Sequence, residues 1–326
     1  MDDAAAPMVL GYQLDGEGNA EAVPFDAPAG PGFVWRHLNW LASEGSAWLH
    51  GPDGPGEEVL EALLAPETRP RCTLYSAAGR TGVFINLRGV NLNEGASPED
   101  MISIRIWLLP DQVVSVWRRP LTAIDDLIGG MERGQGPVGP CDLVARLALR
   151  LADRAEPVVA TLNEAVDAME EAAIGDVSAR SMRGDLAELR RTAIVLRRYM
   201  FPQRDALSTL AIEDLDWLSE RERSRLREAT DRITRLGEEL DAIRERAAVV
   251  QDQLIERRAE EMNRHMYLLS IVAAIFLPLG FLTGLLGINV GGMPGAETPW
   301  AFWVVCALMI GVTGVEVWLF RRLKLI

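Results

Sequence analysis

The residues best placed to do chemistry in this chain are Gly287, Ile288 and Asn289, which end one apolar run shortly before a second. The first run, Met266 to Leu286, and the second, Trp300 to Phe320, are each 21 residues long. At ~1.5 Å per residue, a helix of either length crosses a hydrocarbon core of ~30 Å. An amide side chain where such a helix stops is costly unless it lines water or meets a ligand. Asn289 is therefore the first residue to ask about function, with Gly287 and Ile288 directly before it.

The run that leads to this tripeptide carries a pattern of its own. Asn263, Met266, Ser270, Ala273, Leu277, Gly280 and Gly284 recur at steps of three and four. They form one helical stripe of small or mildly polar side chains. Pore lining and plain helix–helix contact both use such stripes, and the spacing leaves the two open. Two helices cannot enclose a water path, so transport by this chain requires an oligomer. No Asp, Glu, Lys, Arg or His lies in the first run. What remains is neutral oxygen: the Asn289 amide and the carbonyls freed near residues 284–287. Such oxygens suit a cation with its water shell better than a tight dehydrating cage. Glu297, in the loop between the runs, would raise the local cation concentration. Glu316, one turn from the end of the second run, is expected to reach the interface.

The elements that position this stripe divide by composition. The first 265 residues hold 30 Arg and 45 Asp or Glu, whereas residues 266–320 hold only Glu297 and Glu316 as charged residues. An acidic soluble body thus precedes a hydrophobic hairpin. A net charge of −14 argues against nucleic acid as a partner and suits attraction of cations. Arg257, Arg258 and Arg264 precede the first run, and Arg321, Arg322 and Lys324 follow the second. The positive-inside rule then places both termini in the cytoplasm and the short loop outside, in a multi-pass protein of the cytoplasmic membrane. Cys72, Cys141 and Cys306 are scattered and suggest no disulfide framework. Residues 1–30 are acidic, rich in Pro and Gly and lack a basic start before an apolar stretch. They are expected to be a flexible lead-in rather than a signal peptide.

Strand-like alternation appears in Val83 to Asn91, Ile102 to Leu109 and Val113 to Arg118, the last two joined at Asp111-Gln112. Val34 to Leu49, Glu57 to Leu64 and Leu121 to Met131 have helical period. An α/β/α cytoplasmic domain over 31–155 follows from helices covering sheet faces. Residues 156–265 read as a helical hairpin and a stalk. In the stalk Leu226, Ala229, Ile233, Leu236, Leu240, Ile243, Ala247, Val250 and Leu254 form a heptad-like seam. No strong break occurs from Ser219 to Pro278. The stalk is therefore expected to run 68 residues to Leu286, ~100 Å of helix. Residues 266–326 complete the chain with two membrane helices, 266–286 and 300–320.

Phe276-Leu277-Pro278, Gly284 and Gly287-Ile288-Asn289, with a short acidic loop and a basic tail after the second run, resemble the CorA-type metal ion transporters. The usual signature there is Gly-Met-Asn. Val290 to Gly295 strengthens the likeness to the ZntB zinc-transporter branch. So do Thr68 to Arg71, Leu87 to Asn91, Trp117 to Pro120 and Arg198 to Asp205. The resemblance implies an α+β membrane protein that forms a funnel-shaped homopentamer. First spans would line a central pore inside a ring of second spans. Gly287, Ile288 and Asn289 would form the selectivity filter: Asn289 would meet the hydrated ion, Gly287 would permit the turn that aims it, and Ile288 replaces the family's Met. Asn263, Met266 and Leu277 would line the inner pore, with Leu277 as a hydrophobic constriction. Gly280 stands where relatives often carry Thr, so a hydroxyl ring would be missing there.

The transported ion implied is Zn2+, with magnesium, cobalt or nickel as alternatives within the family. Zinc prefers His and Cys ligands, and His37, His50 and His265 are the only histidines. His37 and His50 are expected to pack in the domain and His265 to lie at the interface. Acidic groups such as Glu238-Glu239 and Glu213, Asp214 and Asp216 are expected to be solvated faces. A membrane-anchored structural or sensory protein is the reading from another class, and it needs neither the stripe nor Asn289. No phosphate loop, nucleophile elbow or paired metal motif points to an enzyme, and no cofactor is expected.

Overall fold

The computed structural model describes residues 9–77, 80–174, 179–288, 295 and 298–323. They fall into two compact units, residues 1–251 and 252–326.

The first unit is built on seven strands, in the order β2-β1-β3-β7-β6-β5-β4 across the sheet. These are β1 (Val9–Leu14), β2 (Ala20–Val23), β3 (Phe33–Asn39), β4 (Arg71–Ala77), β5 (Arg80–Gly89), β6 (Ile102–Leu109) and β7 (Gln112–Trp117). Among the described residues only β3 and β7 pair in parallel, with Trp35 opposite Val113. On one face α1 (Ser43–Leu49) and α2 (Glu57–Leu64) bury Leu49, Val59 and Leu63 against Phe84, Trp107 and Val114. On the other, Gly89 lies so close to Leu121 and Leu151 that a Cβ there would come within 2.9 and 2.6 Å of their methyls. Those leucines belong to the start of α3 (Thr122–Glu132) and to α4 (Pro140–Ile174). The α/β/α layering expected from sequence is present.

Two expectations need correcting. Residues 1–30 are not merely a lead-in, because β1 and β2 lie within them and β1 pairs with β3 from Val9↔Leu38 to Leu14↔Phe33. Gln13 fastens the return: its Nε2 donates to the Pro31 carbonyl at 2.8 Å and its Oε1 accepts from the Gly30 N–H at 2.9 Å. Gly32 then turns at φ +87°, where any Cβ would fall 2.0 Å from the Leu14 carbonyl oxygen. The span Val34 to Leu49, expected as one helix, is β3 followed by α1. All seven residues of β3 are buried, so apolar side chains occupy both parities and fit a helical period as well.

The long helices are α4, α5 (Ala179–Ile212) and α6 (Glu220–Gly287). Arg232 pairs with Asp153 and Glu156, and Arg246 with Asp167 and Glu170. Both positions advance together, so α4 and α6 run the same way. Arg197 pairs with Asp241 and Arg190 with Gln251, so α5 runs against α6. Every residue of the predicted seam from Leu226 to Leu254 is buried. Helix α6 spans 68 residues, within one residue of the expected limits. Truncating Leu240→Ala, fully buried in that seam, should cost about 2–5 kcal/mol. Chemical denaturation would show it, with Ile255→Ala, at an exposed position, nearly neutral.

His37 is buried on β3, its Nδ1 2.8 Å from the Ser115 hydroxyl and its ring stacked on Trp117. Burial pushes its pKa from 6.5 down to about 3. The folded state therefore resists a proton that the unfolded chain accepts below pH 6.5. Its contribution is complete above that pH and declines as the pH falls toward 3, by at most ~1.4 kcal/mol per pH unit. In melts between pH 7 and 4, His37→Gln should flatten the loss relative to the native chain.

Candidate pore-lining site

The predicted stripe lies wholly on the last part of α6 and just past its end. Leu254 is the final buried residue of the helix. Beyond it Asn263, Met266, Ser270, Ala273, Leu277, Gly280, Gly284 and Gly287 are all exposed, and so is Ile288. Leu277 is 73% exposed, the most open of the large apolar residues among them. Ile271, Ile275, Pro278, Leu279 and Leu282 are half-buried instead. At about 100° per residue the two sets are centred on nearly opposite sides of the helix. The stripe thus lies within the broad exposed side of this segment, opposite the narrow face that is half-buried. Asn289 and Glu297 lie outside the described residues.

The glycines of the stripe carry a second observation. A Cβ added at Gly280, Gly284 or Gly287 would meet nothing within 4 Å. Packing inside this chain therefore does not require small residues there, so their smallness must answer to something beyond it. The backbone supplies the remaining polarity. Pro278 lacks an N–H, which leaves the Ala274 carbonyl without its usual helical donor. The Ser270 hydroxyl donates to the Met266 carbonyl at 2.8 Å, keeping its oxygen lone pairs as acceptors. Thr283, off the stripe, bonds back to the Leu279 and Gly280 carbonyls at 3.0 and 3.1 Å.

The second apolar helix, α7 (Ala301–Arg322), has a half-buried row at Ala301, Val305, Met309, Val312, Glu316 and Phe320. Both α6 and α7 are long and apolar enough to cross a membrane. Glu316 is half-buried, and one carboxylate oxygen is enclosed with no hydrogen-bond partner among the described residues. Periodicity alone could not tell the half-buried leucines and isoleucines of α6 from those left open. The segment is apolar all round, so no compositional signal separates them.

The histidines do not gather with this face. His37 sits in the sheet, His50 places Nδ1 2.8 Å from the Ser46 carbonyl, and His265 is exposed. Among the described residues no three His, Cys, Asp or Glu side chains are grouped to hold a metal. Burial raises the Cys72 thiol to about 12 and Cys141 well above the usual thiol range, which disfavours the reactive thiolate at both.

Known proteins resemble the chain along nearly its whole length. A family model described as "CorA-like Mg2+ transporter protein" matches residues 30–322. The "Divalent cation transporter CmaX" of Pseudomonas aeruginosa is 41% identical over 322 residues, 97% of this chain and 96% of that protein. The "Zinc transport protein ZntB" of Yersinia pseudotuberculosis is 34% identical over 319 residues, 97% and 95% of the two chains. The solved structure of full-length CmaX superposes with a TM-score of 0.82 at 40% identity, covering 99% of this chain and all of that one. Matched in sequence and in fold from end to end, the chain belongs to the family of CorA-like Mg2+ transporter proteins.

Proposed function

We propose that this chain is one subunit of a homopentameric channel that passes divalent cations, zinc foremost, across the cytoplasmic membrane. The observation that carries this reading is the small, uncharged α6 stripe from Asn263 to Gly287, exposed and opposite the covered face. A face that is small, neutral and unneeded for packing within the chain suits a water-filled path shared between copies. In this reading α6 and α7 span the bilayer as a hairpin with both termini in the cytoplasm, following the arginines at its ends. Asn289 forms a ring at the outer mouth, Gly287 and Ile288 shape it, and Leu277 narrows the path inside. Glu297 draws cations to the entrance. The stripe carries no charge, so the ion travels with much of its water rather than bound by a protein cage.

Zinc is favoured by the likeness to proteins named ZntB; the name of CmaX specifies only a divalent cation. The test is ion flux into liposomes holding the purified protein, zinc against magnesium. Zinc flux should exceed magnesium flux, and Asn289→Ala should lower it by about tenfold or more, the scale of one lost contact to a charged partner. Full flux in that variant would remove Asn289 from the mechanism; no flux of either ion would leave the anchor reading. Gly284→Cys should form disulfide-linked dimers on mild oxidation if stripes of neighbouring copies face one axis. Mass measurement in detergent should give five times 35.9 kDa.

A further inference from the structure

The other feature that calls for a ligand is a cavity of about 620 Å³ in the α/β/α unit, on the sheet face covered by α1 and α2. It lies past the C-terminal end of α2, above the ends of β5, β6 and β7. Arg88, Arg105, Arg118 and Arg119 line it together with Trp40 and Thr68. Arg119 is neutralised by Asp100, whose carboxylate accepts from it at 2.7 Å. Arg88, Arg105 and Arg118 form no ion pair among the described residues. In a chain with 47 acidic residues and net charge −14, three guanidiniums without carboxylates at one cavity are not explained by composition.

Folding accounts for part of this cluster and leaves a remainder. Arg105 is 8% exposed, and its two Nη groups donate to the Leu63 and Ala65 carbonyls at 2.8 Å each. It thereby closes the C-terminal end of α2, where carbonyls lack helical donors and a cation is favoured. Its Nε–H is buried with no acceptor among the described residues, and the Trp40 indole N–H is in the same condition. Arg88 donates to the Thr68 and Met101 carbonyls at 2.8 and 3.0 Å and lies 4.1 Å over the Tyr199 ring. Arg118 is exposed and forms no ion pair among the described residues. Burial, and then the repulsion of Arg88, Arg118 and Arg71, depress the pKa of Arg105. Like charges gathered without a carboxylate in contact are costly, and an anion in the cavity relieves their repulsion.

We propose that this cavity binds a small organic phosphate of about the size of a mononucleotide. Guanidiniums match phosphate oxygens in pairs, which a spherical halide cannot exploit. The volume falls in the usual range for small-molecule sites, and Trp40, Leu64, Met101 and Val116 provide apolar wall for the uncharged part of the ligand. Thr68, Arg88 and Arg118 belong to segments that carry the resemblance to the ZntB branch, and none of them lies on α6.

The experiment is isothermal titration calorimetry on the full-length protein in detergent, with a chelator present so that no divalent ion bridges ligand to protein. AMP, inorganic phosphate and adenosine are titrated separately. AMP should bind saturably and more tightly than phosphate, and adenosine should give no heat. Arg118→Glu, at an exposed position, should weaken AMP about tenfold or more, whereas Arg150→Glu on α4 should not. Absence of AMP binding, AMP no tighter than phosphate, or native affinity in Arg118→Glu would each overturn the proposal. Because no transport is measured, these outcomes are independent of the pore.

Discussion

One buried carboxylate decides where the longest helix of this protein begins. Glu222 is 3% exposed, and its Oε2 accepts from the Ser219 N–H at 2.9 Å and the Ser219 hydroxyl at 2.8 Å. The Glu222 N–H is directed at the Ser219 hydroxyl in return, which completes a capping box. The other oxygen, Oε1, accepts from the Asp142 N–H at 3.1 Å, in the first turn of α4. Asp142, fully buried, accepts from the Val138 N–H and from Arg146 at 2.9 Å each and pairs with Arg225. Two helix N-termini are thus closed by one connected set of charges. Gly139 admits the carboxylate, since a Cβ there would stand 2.3 Å from Oε1.

What holds the helices once they have started is chiefly the apolar seam. The arginine–carboxylate pairs between them are mostly half-exposed: Arg246 and its partners Asp167 and Glu170 retain 32%, 57% and 39% of side-chain exposure. Pairs of that kind contribute roughly 0–1 kcal/mol each, against ~2–5 kcal/mol for a buried leucine. Their value lies in direction and register. Arg232 and Arg246 fix α4 alongside α6, and Arg197 sets α5 against it, with Phe201 packed where Gly237 leaves room. The arginines at the cavity beyond α2 differ in kind because three of them form no ion pair among the described residues.

Helix α6 was legible from its residues because local and global signals agree along it. Seam positions recur at three and four, no strong break follows Ser219, and Pro278 is the only proline within the helix. A helix satisfies its own backbone, so no partner had to be known. The sheet was half legible. β5, β6 and β7 alternate or end in recognisable turns, whereas β3 carries Arg36 and His37 among apolar residues of both parities and was read as helix. The order of the strands and the docking of β1 onto β3 rest on pairings between residues distant in sequence. No local window contains them.

By itself the sequence determined the acidic body, the two apolar runs, the stripe spacing, the extent of α6 and the resemblance that the family comparisons bear out. Those features depend on periodicity, charge and length, and each is complete within a short stretch of chain. Only the tertiary structure decided that the face opposite the stripe is covered while the stripe stays open. It also placed Arg88, Arg105 and Arg118, up to 30 positions apart, around one cavity. The physical reason is the same in both cases. Exposure and electrostatic company are properties of what surrounds a side chain, and the surroundings are supplied by other segments.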